Sequence, residues 1–354
     1  MQASRLFGTH MQIERYNGNK EEWDSYVNNS AKSSLYHLIG WKTVIEKTYG
    51  HKSYYLAARG GGKIKGILPL FFISSRLFGS FVVSLPFHCT GGVCADDEEA
   101  ENMLISEAIR LTKEVGAEYL ELRQSSAVRN DNLSSKDRKV TFVLTLSQDP
   151  EHIWKGAFCS NLRNKIRKAQ RLNLTVTSGC DEKHVEHFYR IYARNMKDLG
   201  TPVFARALID NIVKEFPHQY RLFVAWRGKK ALGAKFTMIY KDTMYFIWAS
   251  SLRKHFKDAP VSLLNWEAVR YACLNGMRFC DLGRSTIDDG AYHFKRQFGG
   301  EIRQLHWQYY LNTRRDMPCL NKDNKKFKIA VNIWKRLPIF VTNSIGPIIV
   351  KYIP

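Results

Sequence analysis

The chain has 354 residues, a formal net charge of +21 at pH 7, 44% hydrophobic residues and 25% charged residues. That length and apolar content suit two folded domains, each with its own core, and exclude a disordered or fibrous chain. The charge favours polyanionic partners such as RNA, anionic lipid or acidic glycan precursors. The lack of an unbroken run of about 20 apolar residues argues against a membrane-spanning helix.

In chain order, residues 11–16 read as a strand, and 21–28 and 38–49 as helices; Trp41, Ile45 and Thr48 share one face of the second helix. Residues 54–58 and 64–73 form an antiparallel pair across the turn 59–63, and 80–85 form a third strand ended by Pro86. Asp97 caps a helix with an acidic first turn, which Gly116 closes. Strands follow at 118–122 and 140–146. Asp149-Pro150 opens another helix, and Ser160 starts a basic one with the apolar stripe Leu162, Ile166 and Ala169. After a strand at 174–177, helices run from Asp181 to Gly200 and over 204–216. Three strands at 221–226, 232–240 and 244–250 are joined by tight turns. Pro260 opens a helix that Gly276 ends. Residues 277–282 are a strand, 284–290 a polar loop, 292–298 a short aromatic-basic helix, and 302–311 a final strand.

Seven cysteines, odd in number and without a CxxC pair, read as reduced core thiols. His88, Cys89 and Cys94 lie close together, but no second ligand cluster matches them, so no metal is expected. The first residues have no apolar segment of the kind that leads a secreted chain, so the expectation is a cytoplasmic protein. The tail from residue 313 is basic and apolar, broken by Lys335, Arg336, Pro338, Pro347 and Lys351. It is expected to dock back on the amino-terminal domain, with peripheral contact to an anionic membrane at its inner face as the other use of such a segment.

The two halves repeat nearly one order of elements: strand, two helices, three antiparallel strands, helix, strand, and a last strand, which in the second half follows a further short helix. Tight turns between consecutive strands exclude a parallel dinucleotide-binding sheet. The order resembles the GNAT acyltransferase fold twice over. The expected class is therefore α/β (α+β), with two tandem GNAT-like domains on mixed, largely antiparallel sheets, spanning residues 1–148 and 149–312.

The segments SLYHLIGWKTVIEKTYGHKSYYLAA, PVFARALIDNIVKEF and DLGRSTIDDGAYHFKRQFGGE, with the passage 85–92 and the tail 337–347, resemble the FemAB family of aminoacyl and peptidyl transferases. They are most similar to its exosortase/PEP-CTERM-associated branch, linked to exopolysaccharide production. The resemblance implies N-acyl transfer to an amine of a peptidoglycan, cell-envelope or exopolysaccharide precursor. The implied co-substrate is aminoacyl-tRNA or acyl-CoA, with no tightly bound cofactor. Implied partners are an anionic or lipid-linked glycan precursor and tRNA, and no DNA. It places Phe294 and Lys295 in the catalytic cleft and Arg206 against an acceptor anion.

The residues supply reasons of their own. Transfer from an ester places negative charge on the carbonyl oxygen, and a cation in a dry cleft lowers that barrier. Lys295, between Phe294 and Phe298, is the candidate. With no GxSxG and no evident histidine partner for Ser285, direct attack by the amine is expected, without a covalent enzyme intermediate. Asp281, Asp288, Asp289 and His293 are candidate proton acceptors, each competing with a role as cap or turn residue. Arg284, Ser285 and Tyr292 are candidates to hold the acceptor. Arg163, Lys165, Arg167, Lys168 and Arg171 on the basic helix are candidates for a polyanion. Acetyl-CoA as donor is the alternative; of the three segments closest to its glycine-rich phosphate turn, 59–63 and 227–231 lie between strands, and 91–92 precedes a helix that opens with four acidic residues, Asp96 to Glu99, which would repel a pyrophosphate. A non-catalytic polyanion-binding protein at a membrane surface is the second alternative.

Overall fold

The computed structural model describes residues 10–76, 78–318 and 325–353. Residues 1–9, which begin the stretch read for a leader, and tail residues 319–324 and 354 lie outside them.

The chain forms two compact units. One comprises residues 1–136 and 305–317, the other residues 137–304 and 318–353. The division falls at 136/137 and 304/305, where the sequence placed it at 148/149 and 312/313, so each unit is assembled from separate stretches of chain.

In the first unit the elements are β1 (Gln12–Arg15), α1 (Lys20–Asn29), α2 (Gly40–Tyr49), β2 (Lys52–Gly60), β3 (Lys63–Ser75), β4 (Gly79–Val83), β5 (Cys94–Ala95), α3 (Glu98–Glu114) and β6 (Tyr119–Gln124). The end of β14 (Glu301–Leu311) completes it. The sheet order is β1-β2-β3-β4-β6-β14, with β5 beside β3. β4 and β6 pair in parallel over three residues, and the other neighbours are antiparallel. α3 buries Ala100, Leu104, Ile105, Ala108 and Leu111 against the sheet face carrying Leu56, Leu68, Leu70 and Leu120, an i, i+4 stripe. Asp97 caps α3 by accepting from the Ala100 N–H at 2.8 Å.

An ion pair lies inside this unit. Arg123 is 1% exposed and donates to Glu121 at 2.7 Å and to the His88 carbonyl at 2.7 Å, with its guanidinium 4.5 Å from the Trp307 ring centre.

In the second unit, β7 (Ser134–Thr145) is followed by α4 (Pro150–Gly156), α5 (Ser160–Arg171), β8 (Leu174–Gly179), α6 (Glu182–Leu199), α7 (Arg206–Glu215), β9 (Tyr220–Arg227), β10 (Lys230–Tyr240) and β11 (Thr243–Ser251). Then come α8 (Pro260–Leu274), β12 (Phe279–Asp281), β13 (Ser285–Thr286), α9 (Gly290–Arg296), the start of β14, α10 (Lys325–Arg336) and α11 (Ile339–Val350). The sheet order is β7-β12-β11-β10-β9-β8, with β13 beside β7. β11 and β12 are parallel at Thr243–Phe279, Met244–Cys280 and Tyr245–Asp281, and the other pairs are antiparallel.

β12 stops at Asp281 while β11 runs on to Ser251, so the sheet opens past that pair. A bulge in β11 at Ile247, between the pairs Thr237–Phe246 and Phe236–Trp248, lies at the opening. Bulges of this kind bend a strand and re-aim its side chains. α5 and α8 bury Leu162, Ile166, Leu263 and Trp266 in one core cluster, joined by Phe158 from the α4–α5 connection and Phe298 from the residues after α9. On the other face of the sheet from this cluster, α6 packs Phe188 at a tilt against Phe236, with ring centres 5.5 Å apart.

The tail departs from expectation. Rather than docking on the amino-terminal domain, α10 and α11 pack on α6 of the second unit. Gly346 permits the approach, because a Cβ there would lie 2.9 Å from the Val203 nitrogen. Among the described residues, no helix is long and apolar enough to cross a membrane.

Candidate active site

Asp281, Lys295 and Lys235 of the second unit lie near the opening between β11 and β12, close enough for the Lys295 charge to act on both of the others. Asp281 ends β12. Its Oδ1 accepts from the Gly283 N–H at 2.8 Å and from the Thr141 hydroxyl. The residue keeps some exposed surface, but its carboxyl is desolvated, and burial raises its pKa. The two hydrogen bonds and the charges of Lys295 and Arg303 oppose that rise without cancelling it. A carboxyl raised in this way is matched to proton transfer.

Lys295, on α9, reaches back to the same turn. Its Nζ donates to the carbonyls of Gly283 at 2.7 Å and Arg284 at 2.8 Å. Gly283 has φ +77°, and a Cβ there would lie 2.9 Å from the Phe246 carbonyl, so the turn hugs β11 and needs glycine. Phe294 and Phe298 stack edge-on at 5.5 Å, with Phe298 fully buried. The lysine is half-buried, and its ammonium ties the end of β12 to α9.

Lys235 is the group the sequence reading missed. It sits on β10, 2% exposed, with its Nζ donating to Asn265 on α8 at 2.7 Å and lying 3.3 Å from the Phe246 ring centre. Burial drives its pKa well below the usual lysine value, and the Lys295 charge adds to the fall. A lysine in an alternating strand reads as solvent-facing. The one available signal was the apolar character of both β10 faces, which marks a strand covered on both sides.

The remaining candidates divide. Ser285 is not an exposed loop contact: it is 3% exposed and its Oγ has no hydrogen-bond partner among the described residues. Tyr292 packs edge-on against Phe142 at 5.3 Å. Arg284 is exposed and offers its carbonyl to Lys295. Arg206 shares its guanidinium between Asp210, at 2.7 Å, and Glu182, so an incoming anion would compete with two carboxylates. Asp289 is the cap of α9, accepting from the Tyr292 N–H at 2.7 Å. Asp288 has φ +65°, and His293 lies exposed in the last turn of α9. On α5, Arg163 closes the end of α4 through the carbonyls of Trp154, Lys155 and Phe158, and Lys165 reaches Gln297 at 3.3 Å. Arg167, Lys168 and Arg171 are exposed, and Arg167 and Arg171 line an open surface depression with Asn164 and Gln170.

A second cationic group, unforeseen in the sequence, lies in the connection from β11 to α8. The turn Arg253–Asp258 carries Arg253, Lys254, His255 and Lys257 ahead of the α8 amino terminus. Arg253 and Lys254 line a cavity of about 600 Å³ with Arg194, Asp198, Leu252 and Lys335. Side-chain contact with Lys254 lowers the pKa of Lys230, so two ammonium groups approach each other here. Cations clustered ahead of a helix amino terminus suit an anion, and here Asp258 already accepts from Arg227 and His255, each at 2.9 Å, which leaves Arg253, Lys254 and Lys257 as the candidates. The glycine pattern sought in the sequence is absent from this turn; Ala259, at φ +56°, takes the left-handed position.

The acetyltransferase (GNAT) domain profile matches residues 157–296. No curated protein sequence matches the chain at a significant level. Among solved structures, FemX aligns with a TM-score of 0.66 at 14% identity, over 85% of this chain and 98% of its own. A tandem GNAT protein from the clavulanic acid biosynthesis pathway aligns with a TM-score of 0.55 at 10% identity, over 84% of this chain and 98% of its own. The C-terminal domain of a putative lysylphosphatidylglycerol synthetase from Agrobacterium fabrum aligns with a TM-score of 0.55 at 12% identity, over 82% of this chain and 92% of its own. The fold is that of the GNAT acyltransferases, and the region matched by the domain profile contains the open β11–β12 pair, the turn 253–258 and Lys295.

Proposed function

We propose that this protein is a FemAB-like N-acyltransferase that joins an acyl group from a phosphate-bearing carrier to the amine of a cell-envelope or exopolysaccharide precursor. The observation that carries this reading is the desolvated Asp281 carboxyl at the mouth of the open β11–β12 pair of a GNAT fold. An acceptor amine arrives as an ammonium ion and must lose a proton before it can attack; a carboxylate of raised pKa is suited to take it. The C–N bond then forms as the carbonyl oxygen gains negative charge, which the nearby Lys295 ammonium offsets. Collapse breaks the bond to the carrier, and the second amine proton goes to the leaving thiolate or ribose oxygen. No enzyme nucleophile is needed. On this reading the cations of the turn 253–258 hold the carrier phosphates, which is supported by Arg253 and Lys254 lining one cavity. The acceptor class, and the exosortase-linked setting, rest on the sequence resemblance.

A CoA thioester as carrier is the second reading, favoured by the GNAT domain match. Titration calorimetry with acetyl-CoA and with aminoacyl-tRNA separates the two. Micromolar binding of one donor, weakened about tenfold or more in the R253Q/K254Q variant, supports the corresponding branch. Failure of both donors to bind overturns the assignment of the turn.

A further inference from the structure

The tail helices bury one face and leave the other apolar. On α11, Thr342, Gly346 and Val350 face inward at i, i+4, i+8, while Phe340, Ile345 and Ile348 are 69%, 42% and 60% exposed. On α10, Ile329 and Ile333, one turn apart, are 59% and 56% exposed. Leu199, at the end of α6 beside Gly200, where a Cβ would touch Val331 of α10, is 52% exposed. Five of the large apolar side chains exposed in the described structure thus belong to these two helices, a concentration that marks an interaction surface.

The surroundings select the occupant. From residue 325 to 354 the chain has six Lys or Arg residues and no Asp or Glu. Lys328 and Arg336 are exposed beside the apolar residues of α10, and Lys335 and Lys351 are half-buried. A protein partner of ordinary composition does not need this pairing of isoleucines and phenylalanine with unbalanced positive charge. An anionic bilayer surface matches both: apolar side chains enter the acyl boundary while cations meet lipid phosphates. Each helix has 12 residues, about 18 Å of rise against a hydrocarbon core of about 30 Å, and Pro338 separates them, so they lie along a surface rather than cross it.

We infer that the outer face of α10 and α11 is a docking surface for an anionic lipid bilayer. It would bring the second unit to the membrane and is independent of the acyl donor the active site uses.

The test is flotation of the full chain with vesicles of equal parts phosphatidylglycerol and phosphatidylcholine, and with phosphatidylcholine alone. Binding is expected only to the anionic vesicles, falling with salt. The F340Q/I348Q variant, altered at exposed positions and therefore expected to fold, should bind at least tenfold more weakly. K328Q and R336Q should each weaken binding about fivefold. Donor binding at the turn 253–258 should be unchanged in F340Q/I348Q, which separates this inference from the proposed activity. Equal flotation of parent and F340Q/I348Q would overturn it. So would conversion of a dimer to a monomer by F340Q/I348Q without loss of vesicle binding, which would assign the face to a second copy. Displacement from vesicles by tRNA that F340Q/I348Q does not affect would assign the basic residues to RNA and would also overturn it.

Discussion

Replacing Asp281 by Asn separates catalysis from stability at one atom. The amide keeps an oxygen able to accept from the Gly283 N–H and the Thr141 hydroxyl, the two hydrogen bonds of Oδ1. Each is worth about 1 kcal/mol, and both are retained, so hydrogen bonding changes little. The desolvation of a carboxylate, which raises the Asp281 pKa, disappears. A carboxyl whose folded pKa lies above its unfolded value contributes stability fully below the unfolded value, and this is lost as pH rises through the folded one. D281N is therefore expected to be more stable than the parent at neutral pH, with the gap closing as pH falls towards the ordinary carboxylate range. Loss of a general base lowers the rate by about 10²–10⁴-fold, or about 3–5 kcal/mol of barrier. The kcat/KM profile of the parent should rise with pH through a limb above the ordinary carboxylate value, and D281N should lack that limb. Urea denaturation at several pH values and initial rates with the bound donor measure the two effects. A variant that transfers at the parent rate, or that is less stable at neutral pH, would refute this account of Asp281.

Lys295→Met removes the ammonium from the carbonyls of Gly283 and Arg284. A loss of about 1–2 kcal/mol is expected by urea denaturation, given the half-exposed position, with a fall of about 10²-fold in kcat; transfer at the parent rate would remove Lys295 from the mechanism. The double variant K235M/N265L replaces a buried lysine of lowered pKa and its partner with apolar side chains, so no orphaned carbonyl remains. It should be more stable than the parent at pH 7, and the gap should narrow as pH rises towards the ordinary lysine value, because the unfolded lysine binds the proton that the folded one releases. A stability difference that does not change with pH would show Lys235 to be charged in the folded state.

Much of this architecture was legible in local pattern. The antiparallel strands β2–β3 and β9–β11 followed from alternation and turn residues, α3 from its Asp97 cap, and α5 from its apolar stripe. The site was less legible, because its properties arise from pairing between distant segments. Asp281 reads locally as a polar residue near the end of a short strand, with a cap or turn role competing; it is desolvated because β12 runs between β7 and β11 and places it beside Thr141. Ser285 reads as an exposed polar loop residue until its pairing with Val140 is seen. The turn 253–258 carries no glycine, with Ala259 at the left-handed position instead, so no local pattern marks its cations. The tail helices were missed for a different reason: prolines at 338 and 347 suggested an irregular segment, yet Pro338 precedes α11 as its cap, and Pro347 lies within it.

The buried Arg123 has a consequence for how the chain is made. The strand edge beside β6, and the indole that covers the Arg123 guanidinium, come from residues 306–311. A nascent chain that has emerged only to residue 136 therefore lacks the last strand of its first unit, and the pair Arg123–Glu121 is still open to water. Sheet closure there must wait until residue 311 has been synthesised, an order that favours slow, non-local assembly and leaves an unpaired β6 edge exposed to chaperones in the meantime.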